Sequence, residues 1–267
     1  MTQDLSQALQ MVSRSHAGMV RTHNEDAVFT RAEVGLAVLA DGMGGYNAGE
    51  VASGMATAVI GAELERGLLD DKRTVSEMLE TVIGNANNAI YQAAESQPQY
   101  SGMGTTLVMG VFRDNHISVA HIGDSRMYRL RGGVLEVVTR DHSLLQEQID
   151  SGMITEEDAR RSQNKNLVTR ALGVDPVVEP EIHSYETVPG DLYLFCSDGL
   201  NDMVENDDIA LTLQALSANL ELAAEQLVQM ANDNGGRDNV SVILVKVLQP
   251  FPATERGWLA RLLGWLK

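Results

Sequence analysis

Four aspartates, Asp41, Asp124, Asp198 and Asp238, each border an apolar run and have a small or polar neighbour. Asp41-Gly42 and Asp198-Gly199 follow runs that read as buried strands, Gly123-Asp124-Ser125 follows another, and Asp238-Asn239 opens the last. A single Asp-Gly pair is ordinary turn chemistry. Four carboxylates at the ends of core strands would repel one another and lose hydration, and a divalent cation removes both penalties. The donor type selects the ion. No Cys or His cluster has zinc spacing, whereas oxygen ligands suit Mg²⁺ or Mn²⁺. Gly42 has no side chain, so its carbonyl could face an ion without obstruction.

The elements that must position these residues follow from periodicity. Gly35 to Ala40 reads as a buried strand and Glu50 to Arg66 as a helix. Val75, Met78, Leu79, Val82, Ile83, Ala86, Ile90 and Ala93 recur at helical spacing and mark a second helix, closed by a break at Gln97 to Ser101. Strand-like runs follow at Thr105–Phe112, Ile117–Ile122, Met127–Leu130 and Val134–Val138, with hairpin turns at Asp114-Asn115 and Gly132-Gly133. Asp141 to Asn166 is a polar excursion with two short helical pieces. Asp191–Cys196 is a strand, 207–217 and 220–232 are helical, and Val240–Leu248 is the last strand. Hairpin-joined strands indicate mostly antiparallel sheets with helices packed outside, an α+β fold.

The 267 residues suffice for one large domain, and the 44% hydrophobic content is that of a globular chain. No run is long and apolar enough to span a membrane, and Met1 to Val12 lacks the character of a signal peptide. The single cysteine, Cys196, forms no internal disulfide, which suits a reducing cytoplasm. A net charge of −17 without a basic patch argues against nucleic acid.

Eight segments taken together carry a resemblance. They are Arg21-Thr22-His23-Asn24-Glu25-Asp26, Asp41-Gly42-Met43-Gly44-Gly45, Gly104-Thr105-Thr106, Gly123-Asp124-Ser125-Arg126, Asp141-His142-Ser143, Thr169-Arg170-Ala171-Leu172-Gly173, Ser197-Asp198-Gly199 and Asp238-Asn239-Val240-Ser241. In this order they resemble the motifs of the bacterial type 2C, metal-dependent (PPM) serine/threonine protein phosphatases, over about residues 14 to 248. The resemblance implies a central sandwich of two antiparallel sheets flanked by pairs of helices, with a two-metal centre at one end. By position, Asp41 bridges both ions. Asp198 and Asp238 complete one site, while the Gly42 carbonyl and Glu25, through water, serve the other. Asp124 with Asp198 matches a weaker third site. Arg21 matches the arginine that holds the substrate phosphate, and Asp26 and Asn239 match supports beside the ligands.

The implied chemistry is hydrolysis of phosphoserine and phosphothreonine. Two cations about 3.5–4 Å apart make hydroxide from water near neutral pH, and a guanidinium fork suits phosphate oxygens. Cys196 has no arginine six positions on, so a cysteine-phosphatase reading fails and it reads as an inert buried thiol. One role departs from the family pattern. Many members carry histidine where Met43 stands, and some bacterial ones at the position of Tyr46. A proton for the leaving oxygen then falls to a metal-bound water, helped by Tyr46 or His23. The other histidines, His116, His121, His142 and His183, read as structural.

Residues 143 to 168 resemble the flap beside the active site of bacterial members, either a solvated loop or a mobile substrate selector. Residues 1–248 then form the catalytic domain, and 249–267 a Pro-containing linker and a short amphipathic helix. That tail carries +2, leaving −19 for the rest. Trp258, Leu262 and Trp265 share one helical face, which could dock on its own domain, a membrane surface or a partner. The chain is expected to act as a monomer on phosphoproteins, with a serine/threonine kinase as the family's counterpart. Two other readings stand: a catalytically dead phosphoprotein binder, and a metallohydrolase of small phosphate esters.

Overall fold

The structure is a computed structural model that describes residues 4–45, 48–70, 73–155, 158 and 167–252. Tyr46, most of the second half of the flap segment and the tail from 253 lie outside the described residues. The strands are β1 (Leu9–His16), β2 (Asp26–Arg31), β3 (Leu36–Met43), β4 (Gly104–Thr105), β5 (Leu107–Arg113), β6 (His116–Ile122), β7 (Arg126–Arg131), β8 (Val134–Val137), β9 (Glu181–Glu186), β10 (Leu192–Cys196) and β11 (Val240–Val247). The α-helices are α1 (Ala48–Asp70), α2 (Val75–Ser96), α3 (Leu144–Asp150), α4 (Asp198–Asn201), α5 (Asn206–Ala215) and α6 (Leu220–Asp233).

One sheet has the order β1-β11-β10-β7-β8 and the other β2-β3-β5-β6-β9, with β4 added to β3. Every pairing is antiparallel. The period of two along the central strands builds the layers. On β3, Leu36, Val38 and Ala40 face α1 and α2, while Ala37 and Leu39 enter the space between the sheets. On β10, Leu192, Leu194 and Cys196 face α5 and α6, while Tyr193 and Phe195 turn inward against Phe112 and Ile243. The result is a helix–sheet–sheet–helix sandwich with a core on each side of each sheet. Helix α1 lays Ala48, Ala52, Ala56, Ile60 and Leu64 on its sheet at intervals of four, the small residues allowing close approach. Helix α2 starts at a capping box in which Thr74 and Glu77 satisfy each other's backbone N–H groups.

The expected hairpins form. Asp114 and Asn115 both take positive φ, 52° and 57°, between β5 and β6, and Gly132-Gly133 joins β7 to β8. Two boundaries differ from the pattern reading. Strand β3 runs past Ala40 to Met43, because β4 pairs with its end. The run from Thr105 is not one strand: it breaks at Thr106, whose N–H turns to the Asp41 carbonyl at 2.8 Å. Strands β1, β2 and β9 were not expected, and all three are edges. Asp198 opens a short unexpected helix, α4, directly after β10.

Candidate active site

The four aspartates come to one end of the sandwich. Asp41 lies on β3 opposite Asp26 of β2, so two carboxylates meet across one strand pair. Thr106 Oγ1 accepts the Asp41 N–H at 3.1 Å, and Thr105 Oγ1 donates to the Asp41 carbonyl at 2.9 Å. Gly42 donates its N–H to the Glu25 carbonyl at 3.1 Å, and a Cβ here would stand 2.1 Å from the Gly49 carbonyl oxygen. Only glycine lets β3 pass between the Glu25 loop and the start of α1. Asp124 follows β6 on the turn made by Gly123, whose φ is 98°. Asp198 follows β10, and Asp238 precedes β11.

Asn239 ties the arginine loop to this end. Its Oδ1 accepts the Glu25 N–H at 2.7 Å, and its Nδ2 donates to the carbonyls of Ala17 and His23 at 3.0 and 2.8 Å. The loop so fixed brings the Arg21 guanidinium to Asp238 Oδ2 at 2.7 Å, with half of the arginine side chain still exposed. Ser197 donates to Asp26 Oδ2 at 2.8 Å, while Asp26 Oδ1 is buried without a hydrogen-bond partner. His23 is exposed.

Electrostatics mark the same residues. Burial, then the charges of Asp26, Asp198, Asp124 and Asp238, hold Asp41 well above the usual carboxylate range. Burial, then Asp124, Asp202, Asp238 and Asp26, does the same to Asp198. Asp26 is pushed up to about 6, first by burial. So is Asp124, by burial and then by Asp141. Glu25 is raised by burial too. These are carboxylates in want of positive charge. The donor set fits hard divalent cations: all oxygen, half-buried or buried, mutually repelling, with one orphaned oxygen on Asp26. A cavity of about 460 Å³ opens on Asp124 and Asp198 and runs past Arg126, Asp202 and Glu205 to Gln146 of α3.

Sequence spacing missed a second cluster. His121, His142 and Glu181 offer ligand atoms all within 4.8 Å of one another, close enough for one metal ion. Among the described residues no trio of the aspartates is gathered so tightly, and Arg21 pairs with Asp238. The three members are 21 and 39 positions apart along the chain; the pairing of His121 with Glu181 across β6 and β9, and the bonds of His142 to Gly123, unite them. Their hydrogen bonds already commit the ring nitrogens that face Glu181 as donors. His121 Nε2 lies 2.8 Å from the Arg140 carbonyl, which can only accept, so that nitrogen carries the proton. His142 Nδ1 accepts the Gly123 N–H at 3.2 Å, so its proton sits on Nε2, 3.5 Å from Glu181. Arg126 and Asp141 form a bidentate pair at 2.9 and 2.7 Å that the sequence did not announce. Cys196 is buried, its thiol pushed up to about 12 by burial.

The family model of protein phosphatase 2C matches residues 14–241. The chain belongs to the protein phosphatase 2C family. It is 39% identical over 243 residues to the serine/threonine protein phosphatase PstP of Mycobacterium tuberculosis, covering 90% of this chain and 45% of that protein. The chain thus spans about half the length of that relative. It is 38% identical over 237 residues to the serine/threonine phosphatase stp of Listeria monocytogenes, covering 87% of this chain and 94% of that one. The catalytic domain of PstP solved in complex with two manganese ions superimposes with a TM-score of 0.82 at 38% identity, over 91% of this chain and 99% of that one. These matches bear out the expected phosphatase 2C sandwich of two antiparallel sheets between helix layers. No helix among the described residues is long and apolar enough to cross a membrane.

Proposed function

We propose that this chain is a metal-dependent phosphatase that hydrolyses phosphoserine and phosphothreonine in proteins. The observation that carries the reading is the group of Asp41, Asp198, Asp124 and Asp26, each held above the normal carboxylate range, with a half-exposed arginine beside them. Asp41, Asp198 and Asp238 would hold one ion. Asp41, the Gly42 carbonyl and Glu25 would hold the other, and Asp124 with Asp198 a weaker third. Bound there, Mn²⁺ or Mg²⁺ supplies ionised water near neutral pH and neutralises charge on the transferring group.

The chain's own residues do the rest. Asp41 is gripped through its backbone by Thr105 and Thr106, which fixes its carboxylate relative to β2. Arg21 can turn its fork from Asp238 to phosphate oxygens, since its loop is held by Asn239 and not by the guanidinium. Asp26, gripped by Ser197, braces Asp41 from the neighbouring strand. His23 and Tyr46 stand near in sequence as groups that could assist a proton to the leaving oxygen. A bacterial serine/threonine kinase is the fitting counterpart, and residues 253–267 a fitting peripheral contact. The names of PstP and stp as serine/threonine phosphatases support the substrate class.

The test compares an aryl phosphate, phosphoserine and phosphothreonine peptides, and small metabolite esters, each with added Mn²⁺. Turnover of the aryl phosphate and of the peptides, lost in Asp41→Asn, is expected. No turnover of any substrate in metal-replete buffer would leave a phosphoprotein binder, and turnover of metabolite esters alone would make it a different hydrolase.

A further inference from the structure

Strand β6 ends at Ile122, and the next two residues carry Gly123 and Asp124. The turn is gripped twice by one residue. His142 donates its backbone N–H to the Gly123 carbonyl at 2.8 Å, and its ring Nδ1 accepts the Gly123 N–H at 3.2 Å. The same residue's carbonyl accepts the Thr169 N–H at 2.8 Å, and Ser143 bridges to Val168. His142 therefore sits where the flap leaves and rejoins the domain, and touches the Asp124 turn as well.

Two further contacts fix the ring. It stacks on His121, with centroids 4.8 Å apart and planes 21° off parallel. His121 is anchored by its own Nε2–H to the Arg140 carbonyl. Glu181 of β9 receives His142 Nε2–H at 3.5 Å and also takes His183 at 2.7 Å. Both stacked rings are buried. A Gly123 N–H can only donate, so this contact exists only while His142 Nδ1 is bare. Glu181 keeps it bare by holding the proton on the far nitrogen. The carboxylate thus sets the tautomer, the tautomer sets the turn, and the turn sets Asp124.

We infer that His142, its tautomer fixed by Glu181 and its ring by His121, is a positioning residue that locks the Asp124 turn to the root of the flap. This rests on the phosphatase reading only for the role of Asp124; the clamp itself is a property of the fold. The three side chains form a hydrogen-bond relay, not a metal site, because the ring nitrogen of each histidine that faces Glu181, Nε2, carries a proton and has no lone pair to give an ion.

The experiment has one readout that needs no activity. Imidazole ¹⁵N spectra of the intact protein should show His121 and His142 both neutral and protonated on Nε2. Amide exchange at Gly123 should be slow in the wild type, about tenfold faster or more in His142→Ala, and close to wild type in His142→Asn, whose side-chain oxygen can reach the same N–H. Direct Mn²⁺ titration should show the weakest site loosened about tenfold in His142→Ala and restored in His142→Asn. Glu181→Gln, a milder change on an edge strand, serves if His142→Ala does not fold, and should loosen the same site by a smaller factor.

The reversed tautomer, with His142 protonated on Nδ1 and bare on Nε2, would overturn the relay. So would Zn²⁺ or Mn²⁺ shifting both ring nitrogens, which would make the cluster a ligand set. Unchanged Gly123 exchange in the variants would also sink it. If exchange responds as expected but no substrate is turned over by the wild type, the clamp stands and the phosphatase reading is what fails.

Discussion

Strand β10 has an aspartate at each end, and the fold treats them in opposite ways. Asp191, just before Leu192, is wholly buried, yet it accepts from Arg131 Nε and Nη2 at 2.7 Å each, from the Val188 N–H at 2.9 Å and from the Tyr193 hydroxyl at 3.0 Å. Burial opposes its ionisation, but these donors outweigh it and hold Asp191 below the usual carboxylate range. Asp198, two residues after Cys196, is half-buried, but its surroundings are Asp124, Asp202, Asp238 and Asp26, and with lost hydration they hold it well above that range. The strand's own sheet brings a guanidinium on β7 to one end, whereas at the other end both sheets bring further carboxylates, Asp26 and Asp124 coming from the second sheet. Both carboxylates lose hydration on folding, so the difference lies in the partners, and it supports the proposal that the Asp198 end takes a cation from outside the chain.

The sharpest way to break this comparison is Asp41→Asn. With saturating Mn²⁺, phosphopeptide turnover should fall by about a thousandfold or more, or roughly 4 kcal/mol of transition-state stabilisation, and Asp198→Asn should be nearly as severe. The metal-free Asp41→Asn protein should melt at or above the wild-type temperature, since a buried repulsive charge is gone. Activity within a few-fold of wild type, in either variant, contradicts the metal-centre assignment.

At the other end the expectation inverts. Asp191→Ala strands the Val188 N–H and the Tyr193 hydroxyl and frees Arg131, so urea unfolding should show a loss of about 2–4 kcal/mol. Turnover per folded molecule should stay at the wild-type value. A variant that lost activity without losing stability would mean the two ends are coupled and the contrast is misdrawn.

What the sequence made legible follows the same division between central and peripheral. Strands β3, β5, β6, β10 and β11 are buried on both faces or nearly so, and such strands are continuous apolar runs that stand out in a sequence. Edge strands β1, β2 and β9, with sequences LQMVSRSH, DAVFTR and EIHSYE, are largely half-exposed or open to solvent and carry no comparable signal. Asp41, Asp124, Asp198 and Asp238 were legible because each adjoins one of the central strands. Glu181 was not, because it lies on an edge, and its meaning comes from the register that sets it opposite His121. Nor was the Arg21–Asp238 contact, which joins two loops that periodicity cannot place together.

The comparison also fixes the sign of a pH effect. Asp26 and Asp124 move from an ordinary value of 3.8 to about 6 on folding. Between those values the native protein binds more protons than the unfolded chain, so their contribution to stability falls as pH rises from about 4 to 6. Asp191 acts in reverse: its contribution is full above the unfolded pKa and is lost as pH falls through its lowered native value. Thermal melts of chelator-treated protein should therefore show Asp26→Asn stabilised relative to wild type at pH 7 and nearly equal to it at pH 4. Mn²⁺ should raise the wild-type melting temperature more at pH 7 than at pH 5. Equal metal shifts at both pH values would mean the carboxylates do not bind the ion.

The smallest expected effect belongs to Asp124. It stands on a turn, beside a cavity, with Asp198 as the neighbour it shares with the rest of the group. Asp41 is different: it is set within a paired strand and held by two threonines. A ligand on a turn, opposed by Asp141 and assisted by fewer neighbours, should hold its ion more weakly. Asp124→Asn should accordingly leave the two tighter Mn²⁺ sites of a direct titration intact, remove the weakest, and lower phosphopeptide turnover by about tenfold, roughly 1.4 kcal/mol. Loss of all Mn²⁺ binding in this variant would place Asp124 inside the core of the centre. Loss of none, with turnover unchanged, would return it to the role of an ordinary turn residue whose raised pKa reflects only burial and Asp141.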